Sequence, residues 1–227
     1  MKQDIKDEAI EQLDKDILFG FYDANGLFES ISDMFYDEND FDETWLKNEI
    51  HLRLKKHQIE SLNWKKPTGF DRLVVSFDTL IKDKIVALHK AGYTRQDGEG
   101  DCAEIIEELS NNGIKVLGYC YYHTQDLERA IGDEQNLFIG YDSYNHNDEL
   151  AMDVANKIVK TLESNGFNVN WNGSLETRIQ ITDINWQKTV DNVDYNYSRV
   201  LDIMQANTPI KENATQNKKP KPFWKFW

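Results

Sequence analysis

Apolar residues recur at three- and four-residue intervals along the first third of the chain, at Ile5, Ala9, Ile10, Leu13, Ile17 and Leu18. That spacing lays them on one face of a helix. Gly26 breaks this helix, and a shorter helical segment, LFESISDMFY, follows. The acidic stretch 37–42 predicts a turn, with Asp42 placed to cap the next helix. That helix carries Trp45, Leu46, Ile50, Leu54, His57 and Ile59 and stops ahead of Pro67. A fourth helix begins near Phe70 and turns Leu73, Phe77, Leu80 and Ile81 inward.

The period then changes. Residues 85–88 are short, apolar and rich in β-branched side chains, which predicts a strand, with continuation of the preceding helix as the alternative. A polar loop over 95–100 leads to a helix over about 101–112, which Gly113 ends. Residues 116–122 read as a strand, after which Thr124 caps a short helix ended by Gly132. A strand over 137–141 precedes a helix over 148–165, whose Leu150, Val154, Ile158 and Leu162 share a face. Two strands, 167–171 and 178–181, are joined by a loop containing Asn172-Gly173. The order βαβαββ predicts a mixed sheet with right-handed parallel crossovers and one terminal hairpin.

The expected fold is therefore α+β, with a helical N-terminal half packed on a mixed sheet in the C-terminal half. Residues 1–187 form one expected domain, helical over 1–66 and sheet-containing over 67–187. A covering helix is expected within 188–208, over about 190–204. Residues 209–227 are polar, basic and proline-containing, then aromatic, and predict a flexible tail.

Composition narrows the class. Of the 227 residues 40 % are apolar and 12 % aromatic, enough for a buried core. No window approaches the ~20 apolar residues of a membrane span. The first residues, MKQDIKDEAIEQLDKD, are charged throughout and do not resemble a secretion signal, so a cytoplasmic location is expected. The two cysteines, Cys102 and Cys120, read as reduced thiols. The formal charge is −14, and because the tail from Pro209 carries +4, the body carries −18. Such a surface repels phosphate backbones, so nucleic acid is excluded as an expected partner. A basic protein partner is electrostatically easier.

Several blocks stand in a recognisable order: GFYD at 20–23, FYDEND and FDETWL within 35–46, GFDRL at 69–73 and IVALHKAGYTRQDG at 85–98. GYCYYHTQDLERA at 118–130, LFIGY at 137–141 and NWNGSLETRI at 170–179 continue it. Over about residues 16–187 this succession resembles an uncharacterised bacterial family, a domain of unknown function. The resemblance implies one bacterial domain and brings no activity, substrate or catalytic residue with it.

Candidate chemistry comes from the expected sheet. Ligands favour the crevice beyond the carboxyl ends of parallel strands. His123, Gln125 and Asp126 follow the first strand of the C-terminal run, Asp142 the second and Trp171 the third, while Arg178 opens the returning strand. There Arg178 could grip an anion, Trp171 could stack on a planar group and His123 could exchange a proton. The alternative is structural: Asp126 in the first turn of a helix, paired with Arg178, and Trp171 in the core. A second candidate loop holds His89, Thr94 and Asp97, where two glycines precede a helix, although an ordinary turn needs no ligand. Gly98 and Gly100 match no nucleotide fingerprint, so no cofactor is expected. No spacing of ligands fits a metal site. The tail ends in Phe223, Trp224, Lys225, Phe226 and Trp227, a cluster suited to a partner groove or to weak peripheral membrane contact, with folding back into a groove on its own body as the alternative. The expected function is a non-catalytic binding or regulatory protein, with a protein partner or a small ligand. A small-molecule enzyme acting on an anionic or nucleotide-like substrate at the sheet-edge cleft is the alternative.

Overall fold

The computed structural model describes residues 1–207. Four helices come first: α1 (Gln3–Phe19), α2 (Ala24–Met34), α3 (Glu43–Ser61) and α4 (Gly69–Lys82). The chain then alternates as β1 (Ile85–Leu88), α5 (Arg95–Asn111), β2 (Gly118–Tyr121), α6 (Thr124–Ile131), β3 (Leu137–Ser143) and α7 (Asp148–Ser164). The hairpin β4 (Asn168–Asn170) and β5 (Ile179–Thr182) and the helix α8 (Tyr197–Ala206) complete it. The five strands form one sheet in the order β1-β2-β3-β5-β4. The fold is α+β, four helices followed by a mixed sheet interleaved with helices.

Two hydrophobic cores result. The first joins α1, α2 and α3 through Ala9, Leu13, Leu27, Ile31 and Leu46. The second lies under the sheet, where Cys120, Tyr122, Ile139, Ile179 and Ile181 alternate inward and meet Phe77 and Leu80 of α4, Val154 and Ile158 of α7 and Val200 of α8. Each fully buried apolar side chain contributes roughly 1.5–3 kcal/mol. Burial also pushes the thiols of Cys102 and Cys120 up, which keeps them unreactive.

The first helix ends earlier than its periodicity suggests. Gly20, at φ 76°, is its left-handed cap, and a β-carbon there would stand 2.7 Å from the Lys188 carbonyl. Gly26 lies inside α2, because the Asp23 side chain accepts the Asn25 and Gly26 N–H groups and starts a new helix before it. Leu18, expected on the buried face, is 47 % exposed.

Asp16 sits in the last turn of α1, nearly buried, with Oδ2 lacking any hydrogen-bond partner among the described residues. Burial raises its pKa despite Lys90 and Lys15 nearby, and a carboxylate is also disfavoured at a helix C-terminus. Asp16→Asn is therefore expected to stabilise the protein by about 1–2 kcal/mol at neutral pH. The gain should shrink in acid, where Asp16 protonates in the fold, and thermal melts at two pH values measure both effects.

Four further expectations are corrected. The polar loop over 95–100 is the opening of α5, since Thr94 and Asp97 close a reciprocal capping box. Gly98 lies inside that helix, at a position where a β-carbon would meet the Tyr121 ring at 2.5 Å. The short helix α6 is capped by His123 rather than Thr124. Residues 190–196 are not helical, and α8 starts only at Tyr197.

The largest correction concerns strand direction. Only β1 and β2 run parallel; β2–β3, β3–β5 and β5–β4 are antiparallel. The helix α6 does not cross the sheet face. Its eight residues stay at the carboxyl end of β2, where Lys15 of α1 meets Glu128 at 3.4 Å. The next strand therefore starts at that same end and runs back, Tyr121 facing Gly140 and Gly118 facing Ser143. The terminal hairpin β4–β5 forms as expected.

The segment 184–196 ties the two cores together. Lys188 is 2 % exposed, and its ammonium lies 4.7–4.9 Å from the ring centres of Phe21, Phe70 and Tyr195 and 3.2 Å from Asp191. Its carbonyl accepts from His57 Nε2 on α3 at 3.0 Å. A desolvated cation enclosed by aromatic faces and a carboxylate holds α1, α3 and α4 around one short strap.

Candidate functional site

His123 leaves β2 in extended backbone geometry and becomes the cap of α6. Its Nδ1 accepts the Asp126 N–H at 3.3 Å, which puts the ring proton of the neutral imidazole on Nε2. That nitrogen lies 3.0 Å from Asp126 Oδ2. Burial holds the His123 pKa below its ordinary value, against the pull of Asp126.

Asp126 is entirely buried. Arg178 Nη1 reaches both carboxylate oxygens, at 2.8 and 3.0 Å, and Arg129 Nη1 reaches Oδ1 at 3.3 Å. Both guanidinium groups approach the Phe138 ring, at 4.9 and 6.0 Å from its centre. Arg178 can do this because its strand position lies two residues from Phe138 on the same face, opposite Gly140. The outcome is a closed ion cluster. An imidazole whose two nitrogens face a peptide N–H and a paired carboxylate is poorly placed to take a substrate proton.

Of the six cleft candidates, the structure brings together His123, Asp126 and Arg178. Gln125 stands beside them on the outer turn of α6, where its carbonyl accepts from Arg129. Asp142 and Trp171 are elsewhere. Because β3 runs backward, Asp142 pairs with Tyr119 at the opposite end of β2 and accepts from His146 Nδ1 at 2.7 Å. Trp171 packs edge-on against Tyr141, with its indole N–H on the Ser174 carbonyl. Strand direction separates Asp142 from the imidazole, and Trp171 is kept apart by lying with Tyr141 on the other face of the sheet.

The second candidate loop divides in the same way. Thr94 and Asp97 spend their polar atoms on each other, and Thr94 N–H on the Asp97 carboxylate holds its pKa down. The Thr124 N–H and hydroxyl both donate to the Gly92 carbonyl, pinning this loop to the start of α6. His89 points through the sheet to the other side, where Nδ1 meets the Tyr122 hydroxyl at 3.0 Å and the ring lies against Phe77. The aromatic candidates Phe223, Trp224, Phe226 and Trp227 lie outside the described residues. Among the described residues, no three His, Cys, Asp or Glu side chains converge on a possible metal position. No helix there is long and apolar enough to cross a membrane.

A capacious concavity lies away from all of these. A groove of about 1020 Å³ runs along α3 from Lys47 to Leu62, faced by the first turns of α2 and closed at one side by Thr189 and Val190 of the strap. Its floor is apolar: Phe28, Ile50, Leu54 and Val190. Its rim is basic in residue type, with Lys47, His51 and Lys55 spaced one turn apart on α3. The Lys47 ammonium sits 4.3 Å over the Phe28 ring and 3.5 Å from Glu43. Among the described residues no Asp or Glu lines the groove, in a chain with 40 acidic residues. Sequence reasoning treated α3 as a core helix and passed over its charge. The available signal was local: six Lys or Arg against two Glu between Lys47 and Lys66, inside a body of net −18.

No curated protein and no solved structure matches this chain. One family model does, over residues 2–190, spanning the helical core, the sheet and the start of the strap: it describes a domain of unknown function, DUF6891, and the chain belongs to that family.

Proposed function

We propose that this chain is a non-catalytic, cytoplasmic binding protein of bacteria that takes an anionic, partly apolar ligand in the groove along α3. One observation carries the proposal: an apolar floor with a rim of lysine and histidine and no carboxylate, on a molecule whose charge is otherwise strongly negative. The volume is of the size that ligand sites have, and charge segregated against the molecular average is a feature of recognition surfaces. The closed state of the His123–Asp126–Arg178 cluster favours binding over catalysis there. The free, buried thiols of Cys102 and Cys120 support the cytoplasmic assignment.

Amide shift titration with carboxylates of increasing apolar size is expected to move resonances of Phe28, Ile50, Leu54 and Val190. A ligand at ~100 times its Kd should add about 2.7 kcal/mol to stability. Lys55→Glu should abolish both effects. Shifts mapping instead to Arg178 and Phe138 would sink the proposal.

A further inference from the structure

Resting on this groove as the binding site, we infer that its occupant is an acidic amphipathic helix from a partner protein, rather than a small amphiphile. Shape makes the first distinction. Lining residues on α3 extend from Lys47 to Leu62, about 22 Å at ~1.5 Å per residue, or roughly four helical turns. The trough is open along that length: Lys47, His51, Lys55 and Gln58 are exposed, and Leu62 is 80 % exposed. A fatty acyl chain lying there would keep one side in water and forfeit much of its burial. A helix with one apolar face loses nothing, because its other face is meant for solvent.

Charge makes the second distinction. Lys47, His51 and Lys55 stand at successive turns, so they match carboxylates repeating every fourth residue on a helix laid alongside. The remaining surface of the body is acidic and would steer such a partner away from every other face. The chain's own tail is the wrong occupant on the same ground, since its +4 would meet cations.

The test is selection from a displayed library of helical peptides about four turns long, with leucine fixed at i, i+3 and i+7 and all charge patterns at the flanking positions. The full chain is the bait, with counter-selection against a Leu54→Asp/Lys55→Glu variant whose melting curve confirms that it folds. Selected peptides are expected to carry Asp or Glu at i, i+4 spacing, to lose at least tenfold in affinity for that variant, and to weaken as salt is raised. Peptides of neutral or basic pattern, peptides that bind the variant equally well, or an empty selection would each overturn the inference. A parallel decanoate titration separates the two levels. Groove shifts with decanoate but no acidic peptides would leave the binding site standing and remove the partner helix; no groove response to either would remove both.

Discussion

Replacing Asp126 with alanine is expected to lower stability by about 3 kcal/mol, a fall of roughly 6–12 °C in Tm for a protein of this size. The carboxylate is wholly buried, and its removal leaves the Arg178 and Arg129 guanidinium groups repelling each other across Phe138. It also removes the acceptor half of the box in which His123 caps α6. The figure sits at the low end for a broken buried pair, because the side chain of Arg178 retains 28 % and that of Arg129 44 % exposure to water. Arg129→Ala should cost no more than about 1 kcal/mol, as exposed pairs do. Replacing Asp126 and Arg178 together with leucine should recover part of the loss, since no charge is then stranded. Thermal melts followed by circular dichroism decide the matter. A catalytic carboxylate is commonly neutral or stabilising to remove, so an unchanged or raised Tm would return the cluster to the list of active-site candidates.

Acidification is expected to destabilise the protein below about pH 6.5, with His89 and His123 as the responsible groups. Burial lowers both pKa values. His89 is also flanked by the charges of Arg199 and Lys188, and His123 by Asp126, Arg178, Arg129 and Asp97. The unfolded chain therefore binds protons near 6.5 while the fold still refuses them. Stability is full above that value and falls as pH drops, until the lowered folded values are reached. Two groups set a ceiling of about 2.7 kcal/mol per pH unit. Asp16 acts with the opposite sign and at lower pH, since its raised pKa lets the fold take a proton before the unfolded chain does. Denaturant midpoints from about pH 7.5 to about pH 5.5 measure the net slope. His89→Asn should remove roughly half of it after allowing for its constant cost in packing. A flat profile would mean that neither imidazole is held neutral by burial.

These two experiments bear on the same question from different sides. If both histidines are neutral structural groups, the polar residues of the sheet serve the fold, and recognition falls to surfaces the sheet does not build. The groove along α3 is such a surface. It belongs to the helical core and touches the rest of the molecule only through the strap, whose Thr189 and Val190 stand next to the enclosed Lys188. A ligand pressing on the strap would therefore touch the segment that joins both cores.

Much of the local structure was legible in the residues themselves. The spacing of Leu150, Val154, Ile158 and Leu162 is that of α7, the alternation through Ile179 and Ile181 is that of β5, and the hairpin follows from Asn172-Gly173. Helix periodicity, strand alternation and turn chemistry act over a few residues, so the chain carries them wherever it lies. Where two local signals compete, distant atoms decided. Gly98 reads as a loop glycine but sits in α5, where the Tyr121 ring leaves no room for a β-carbon, and the end of α1 must be glycine because Lys188 lies against Gly20.

The site was less legible, because strand direction is not written in any one segment. The order βαβαββ is compatible with either direction for β3, and direction depends on where α6 packs, which its own eight residues do not specify. That one reversal keeps His123 with Arg178 and sends Asp142 to the far end of the sheet, while Trp171 lies with Tyr141 on the face opposite Phe138. The groove was hidden for a similar reason. Its lysines and histidine stand on consecutive turns of α3, but its floor comes from Phe28 and its wall from Val190, and only packing makes a concavity from residues so far apart in the chain. By itself, the sequence determined the elements, the acidic charge and the pairing partners available to each side chain. Tertiary structure decided which of those partners meet, because burial and strand direction are properties of the whole fold and not of any segment of it.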